Sequence, residues 1–178
     1  FIGASPLLAE GKLYISVETR HEGFMVKLDA KNGELLWRSE YFGEQSHSSA
    51  TLSSDGKIVM AGANNNKFFA LDAESGRLKW ARDLGGPIKG TAMVWEKAVY
   101  VPSWGKKIYA LNWEIGEVIW QSDLSGRSQS SPTLLADHKH LLFSSPNASV
   151  TAGVDLTDVE NQTLSLINVS GFIPQDHL

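Results

Sequence analysis

Residues 68–86, FFALDAESGRLKWARDLGG, contain an eleven-residue core, ALDAESGRLKW at 70–80, that the chain repeats. A looser copy, KLDAKNGELLW, stands at 27–37, and a third, ALNWEIGEVIW, at 110–120. The aspartate position of the motif falls at Asp29, Asp72, Asn112 and Asp155, at intervals of 43, 40 and 43 residues. Two further markers keep the same phase. The stretches ASPLL (4–8), SATLS (49–53), TAMVW (91–95) and SPTLL (131–135) form one of them. The turns AEGK (9–12), SSDGK (53–57), WEK (95–97) and ADHK (136–139) form the other. A period of this size marks a repeat architecture, in which one small unit stacks on the next.

Each unit reads as four short strands. In the second, SSATLS leads into an Asp-Gly turn at 55–56, a strong hairpin signal. KIVMAGA, the polar turn at 64–66, KFFALDA, the turn ESG and RLKWARD follow. β-branched and aromatic residues fill the strands, and Gly, Asn, Asp or Ser mark the turns. Four strands per repeat of this length is the arithmetic of a β-propeller blade. The expected fold is therefore all-β, with four-stranded antiparallel blades. The units fall at about 1–43, 44–86, 87–126 and 127–170 of one segment, with a tail at 171–178.

A lone blade has two apolar faces, and its neighbours must cover them. Trp37, Trp80 and Trp120 share one position on the outer strand, where each indole can wedge against the next blade and bury roughly 150–250 Å². Gly33, Gly76 and Gly116 occupy a turn position suited to positive φ. With Ala70, Asp72, Gly76 and Trp80 at its marker positions, the motif resembles the repeat of the pyrroloquinoline-quinone (PQQ)-type β-propellers. Ser75 stands where that repeat usually has Thr; Lys27 and Asn32 depart in the first copy, and Asn112 and Ile115 in the third. The resemblance covers about residues 1–157 and is specific for fold more than for function. The same repeat builds quinoprotein dehydrogenases, a scaffold lipoprotein of bacterial outer-membrane protein assembly, and the luminal domains of unfolded-protein sensor kinases.

The fourth unit loses the motif after Asp155, where no Gly and Trp follow, although TLSLINVS at 163–170 still alternates like an outer strand. The resemblance implies closed rings of about six to eight blades, so an incomplete ring is expected: part of a larger propeller, a pair of copies, or an unusual four-bladed ring. The start at Phe1 is read as processing or as a cut from something larger. Uncovered end blades would need further blades, a second copy or another partner to hide their apolar faces.

Bulk composition removes several function classes. Net charge is −4, from 20 acids against 16 bases, which disfavours nucleic-acid binding. No apolar run is long enough to span a membrane. Cysteine is absent, which rules out thiol catalysis and disulfides. Neither a G-x-S-x-G elbow nor a phosphate-cradling G-x-x-x-x-G-K-[ST] loop occurs. The Asn-x-Ser/Thr triplets at Asn147, Asn161 and Asn168 sit in a Ser- and Asn-rich stretch where chance accounts for them.

Propellers bind ligands at the central mouth, on the loops that enter the innermost strands and on the turns between strands two and three. Aligning the repeats back from Ala50, Ala92 and Pro132 places His47, Lys89 and Gln129 at one equivalent position, with Gly3 in the first unit. These are polar and unlike one another, whereas the nearby Ser49, Thr91 and Ser131 stay nearly constant and read as packing. The second set of turns offers Arg20, His21, Asn64, Asn65, Asn66, Trp104, Lys106 and Lys107. Trp104 stands out, because it belongs to no repeat position and precedes Gly105. Arg127 lies in the Gly/Ser-rich loop SGRSQSSP. Trp95 and Trp113 read as strand residues that pack, and His138 and His140 as residues of an outer hairpin turn. Glu18, Glu22, Glu44, Asp83 and Asp123 read as scattered outer or loop acids.

The expected function is a noncatalytic scaffold for a protein or other ligand, with no cofactor. The alternative is a fragment of a PQQ- and calcium-dependent dehydrogenase, which would need a tryptophan floor, a calcium ligand set and an aspartate base. By resemblance alone, the compartment is periplasmic, extracellular or a secretory lumen.

Overall fold

Alternating side chains and turn-forming residues place sixteen strands along the chain, and no other regular element occurs among the described residues. The computed structural model describes residues 3–40, 42–124, 126–135, 140–144, 150–156 and 164–168. Blade one comprises β1 (Leu7–Ala9), β2 (Lys12–Glu18), β3 (Gly23–Asp29) and β4 (Leu35–Arg38). Blade two comprises β5 (Thr51–Leu52), β6 (Ile58–Gly62), β7 (Lys67–Asp72) and β8 (Leu78–Asp83). Blade three comprises β9 (Met93–Trp95), β10 (Ala98–Ser103), β11 (Lys107–Asn112) and β12 (Val118–Asp123). Blade four comprises β13 (Thr133–Leu134), β14 (His140–Ser144), β15 (Val150–Asp155) and β16 (Leu164–Asn168). Each is an antiparallel sheet in chain order, and the four do not close a ring. The degenerate fourth unit thus supplies its outer strand, β16, paired along β15. No helix among the described residues is long and apolar enough to cross a membrane.

The two-residue strand period explains the core. On β6, Ile58 and Met60 pack toward blade three with Val99, Val101, Tyr109 and Leu111. Val59 and Ala61, on the other face, pack toward blade one with Tyr14 and Met25. A third cluster joins blades three and four through Tyr100, Ile108, Leu141 and Phe143. Both faces of β6 and β10 are covered, so every residue on these strands is buried. That is why they read as continuous apolar runs rather than alternating ones. Full burial of a residue such as Met60 or Val99 contributes about 1.5–3 kcal/mol.

The outer strands form the joints between blades. The Trp37 indole donates to the Ala73 carbonyl at 3.2 Å, and Trp80 donates to the Trp113 carbonyl at 3.0 Å. Each ring lies across a glycine of the next blade: a Cβ on Gly76 would come within 2.7 Å of Trp37 ring atoms, and one on Gly116 within 2.6 Å of Trp80. Gly33, Gly76 and Gly116 all have φ between +71° and +76°, but nothing lies within 4 Å of a Cβ built on Gly33. Trp120 packs against the cluster between blades three and four. Lys27 replaces the alanine of the other repeats for a visible reason. Its buried ammonium donates to the Ala73 carbonyl and to Glu74, both at 2.9 Å, and so ties blade one to blade two.

The aspartate of the motif organises the turn that carries the glycine. Asp72 Oδ1 accepts from the backbone N–H groups of Ser75 and Glu74 and from the Ser75 hydroxyl. These donors, the Ser75 hydroxyl first, hold the Asp72 carboxyl below its ordinary pKa. Asn112 makes the same turn in blade three through its carboxamide oxygen. The Lys12 ammonium lowers the pKa of Asp29, and the Ser53 hydroxyl lowers that of Asp55. A carboxyl whose pKa is lowered by folding stabilises the fold above its unfolded pKa of about 4, and that contribution fades as pH falls through the lowered folded value. Asp72→Asn, the residue already used in blade three, is therefore expected to lower stability near neutrality while leaving it almost unchanged at the acid end, which flattens the acid limb of the stability curve. Urea unfolding midpoints between pH 2.5 and 7 test this; parallel curves for the two proteins would refute it.

Candidate functional site

The inter-blade connections and the turns between second and third strands gather at one end of the blades. Each connection bonds to the blade it leaves, as in Phe42 N–H to Gly23 O, Leu84 N–H to Asn66 O and Leu124 N–H to Lys106 O. The first two also meet the turn of the next blade, through Asn64 N–H to Gln45 O and Trp104 N–H to Pro87 O. Close approaches support the stitching: a Cβ on Gly86 would stand 2.2 Å from Gly105 N, and one on Gly62 would strike Ile88. Buried hydroxyls add to the backbone bonds, Ser46 donating to Gly62 O and Ser103 to Leu84 O and Gly86 O, so that the loops are fixed from both chain and side chain.

The near-constant Ser/Thr positions link blades around the axis. Ser5 N–H donates to Ser49 Oγ, and Thr91 N–H donates to Ser131 Oγ. One position earlier, Ser48 Oγ donates to Gly90 O. These residues have structural partners.

On this frame the candidate residues separate. Lys89, between buried Ile88 and Gly90, holds its ammonium 4.0 Å from the centre of the Trp104 ring. The Arg127 guanidinium stands 5.4 Å from the same centre, brought there by the connection between blades three and four. The structure thus joins three residues that came from separate features of the sequence. Gln129 is exposed two positions beyond Arg127, across the buried Ser128. Lys106, on the Trp104 turn at φ +61°, is exposed and adds a third cation. Carboxylates adjacent in sequence are engaged elsewhere: Asp83 accepts from Gly85 N–H, and Asp123 pairs with Lys107 at 3.1 Å. The cluster is net positive on a chain of net charge −4.

His47 takes a different role. Its Nδ1 lies 3.6 Å from Glu18 Oε2, an ion pair when the imidazole is protonated. Glu18 is a correction to the expected scatter of loop acids: it ends β2 and is 4% exposed, on the covered face it shares with Tyr14 and Ser16. The alternation from Tyr14 was the signal that could have placed it there. Asn65 is a turn-former, donating to Phe42 O and accepting from Lys67 N–H. Trp113 also departs from expectation. It sits in the turn after β11 rather than in a strand, and donates from its indole to Glu96 O at 2.8 Å. His140 opens β14, while His138, Asn147, Asn161 and the 171–178 tail lie outside the described residues.

A groove of about 440 Å³ lies between blades one and two at the opposite end, lined by Lys12, Tyr14, Lys27, Lys57, Asp72 and Glu74 among others. Its lysines are largely spoken for: Lys12 pairs with Asp29 at 2.7 Å and Lys27 with Glu74 at 2.9 Å. Among the described residues, no three histidine or acidic side chains are grouped closely enough to hold a metal ion.

Comparison with known proteins follows the geometry. Residues 21–159 match the family model described as outer membrane protein assembly factor BamB. Among solved structures, BamB from Moraxella catarrhalis superposes with a TM-score of 0.67 at 21% identity, over 85% of this chain and 44% of that one. A chain of the mitotic checkpoint complex superposes with a TM-score of 0.79 at 13% identity, over 92% of this chain and 51% of that one. The chain thus spans about half the length of each. No curated protein matches it. At such identities the two structures speak for the propeller fold alone, whereas the repeat itself, phased through three indole joints and matched over most of its length, assigns lineage: the chain belongs to the PQQ-type repeat family of outer membrane protein assembly factor BamB.

Proposed function

We propose that this chain is a noncatalytic scaffold that holds a protein partner on the face built by its blade connections. One observation carries the reading: Lys89, Trp104 and Arg127, from three separate segments, converge on a backbone-stitched surface. Rigid aromatic and guanidinium groups with little ordering cost are the side chains that dominate protein interfaces. Membership of the BamB-described family supports a role in assembly at the outer membrane and an extracytoplasmic location. The superposed chain of the mitotic checkpoint complex belongs to a protein complex, which supports the same use of the fold.

Site-specific photo-cross-linking tests the reading. With p-benzoylphenylalanine at Gln129 in the expressing cell, a discrete protein adduct is expected. The same probe at Ser75, on the opposite end, is expected to give none. Adducts from Ser75 alone, or from neither position, would overturn the proposal.

A further inference from the structure

A tryptophan joint has two halves, an indole on one blade and a receiving turn on the next. Blades two and three present that turn to Trp37 and Trp80. Each indole donates to the residue after the motif Asp or Asn, Ala73 or Trp113, and its ring covers the glycine three positions further on. Blade one builds the same turn. Gly33 N–H donates to Asp29 O as Gly76 N–H does to Asp72 O, and Ala30 N–H donates to Gly11 O as Ala73 N–H does to Lys57 O. Here, however, Ala30 and Gly33 are exposed, whereas Ala73, Gly76 and Gly116 are buried. The surrounding face follows the same contrast. Leu8 is 65% exposed, while Leu52, its register counterpart, packs into the core between blades one and two. Leu13 and Leu28 are half-buried, while their counterparts Val59 and Leu71 are covered almost completely. Independently of the scaffold reading, we propose that this face of blade one docks a further blade of the same repeat, whose outer-strand tryptophan donates to Ala30 O and lies across Gly33.

Several observations select this occupant over a second copy or an unrelated partner. Positive φ alone does not demand glycine in this fold, since Glu10, Asn66, Glu96 and Lys106 stand at φ +47° to +69°. What demands the bare backbone at Gly76 and Gly116 is the ring that crosses it, and Gly33 keeps the same feature. In both joints the indole comes from the unit one repeat earlier, so the occupant of blade one stands one place ahead of it in the ring. A second copy has no such indole to offer. Trp37 and Trp80 are used in their own joints, Trp120 packs between blades three and four, and no tryptophan follows Trp120 in the chain. Charge narrows the choice further. Lys31 stands where Glu74 receives the buried Lys27 ammonium of the preceding blade. A blade with lysine ten residues before its tryptophan, as Lys27 precedes Trp37, would set two ammonium groups together. The fitting blade carries alanine there, as Ala70 precedes Trp80 and Ala110 precedes Trp120.

The test compares the full chain with one that carries a second copy of residues 44–86 fused ahead of Phe1. This fusion keeps the phase: Gly3 aligns with Lys89, so Phe1 follows Gly86 as Pro87 does. Urea midpoints are read for both chains with and without Gly33→Ala. The shift caused by Gly33→Ala should about double in the extended chain, because a steric cost against the new indole joins the backbone cost. It should return to its original size when the added unit carries Trp80→Leu, since the coupled partner is then gone. Ala70→Lys in the added unit should lower the midpoint of the extended chain, its ammonium meeting Lys31. Far-UV circular dichroism reports whether the extended chain folds; if it does not, residues 87–126, which end in the same phase after Trp120, replace the added unit. A Gly33→Ala shift of equal size in both chains, or failure of both added units to give a folded protein, would overturn the proposal. So would a dimer of the unaltered chain, seen by light scattering, that Gly33→Ala dissolves, for the occupant would then be a second copy.

Discussion

Gly76→Ala is expected to lower stability by about 2–6 kcal/mol, although it adds a single methyl group on the rim of the molecule. Two effects combine. The new Cβ must occupy the left-handed region at φ +71°, and it must also enter space 2.7 Å from the Trp37 ring. The first costs about 1–3 kcal/mol, and the second, an overpacking effect, costs a similar amount. Gly33→Ala separates them, because Gly33 has φ +76° but no atom within 4 Å of the new methyl. Its expected cost is the backbone part alone. The difference between the two variants, read from urea midpoints, measures the steric cost at the joint. Equal shifts would refute the idea that the indole needs the bare glycine. A double variant with Trp37→Leu should recover part of the Gly76→Ala loss, since contacting residues couple.

Trp80→Ala should cost about 3–5 kcal/mol, the range for deleting a large aromatic from a packed site. The ring fills the seam between blades two and three beside Phe68 and donates to the Trp113 carbonyl. At about 2–4 °C per kcal/mol for a chain of this size, the thermal midpoint falls by about 6–20 °C. A second signature is expected. Each blade leans on its neighbours, so weakening the central joint lets the pair on either side unfold separately. Circular dichroism and tryptophan fluorescence, coincident in the unaltered protein, should then give different midpoints. A loss below about 1 kcal/mol with coincident transitions would show that the indole is not what holds the blades together.

The fold was legible because its signals are local. Strand alternation, Asp-Gly and Asn-rich turns and the spacing of three tryptophans are all written within one repeat, and the repeat announces its own period. Even the fourth blade kept enough alternation at 163–170 to mark its outer strand. The joint was half legible. The wedge could be read from Trp37, but the glycine was read for its φ alone, because its partner lies a whole repeat away and leaves no mark in the local pattern. The site was harder still. Trp104 drew attention by breaking the period, Lys89 by varying at a phased position and Arg127 by its loop. Nothing in the sequence says that the three meet, since the meeting depends on the hydrogen bonds of Pro87, Lys106 and Leu124. Glu18 was misplaced because its charge outweighed its alternation with Tyr14 and Ser16.

The Trp37 joint has a consequence for how the chain is made. Its donor and acceptor are 36 residues apart, and those of the Trp80 joint 33. At about 5–20 residues per second, the ribosome delivers the acceptor roughly 2–7 s after the indole. During that interval a finished sheet waits with its most adhesive ring unclaimed. The growing polypeptide therefore passes through a succession of brief vulnerable moments, one per module, and slowing translation just before a turn glycine should raise the yield of misassembled product more than the same delay placed just after it.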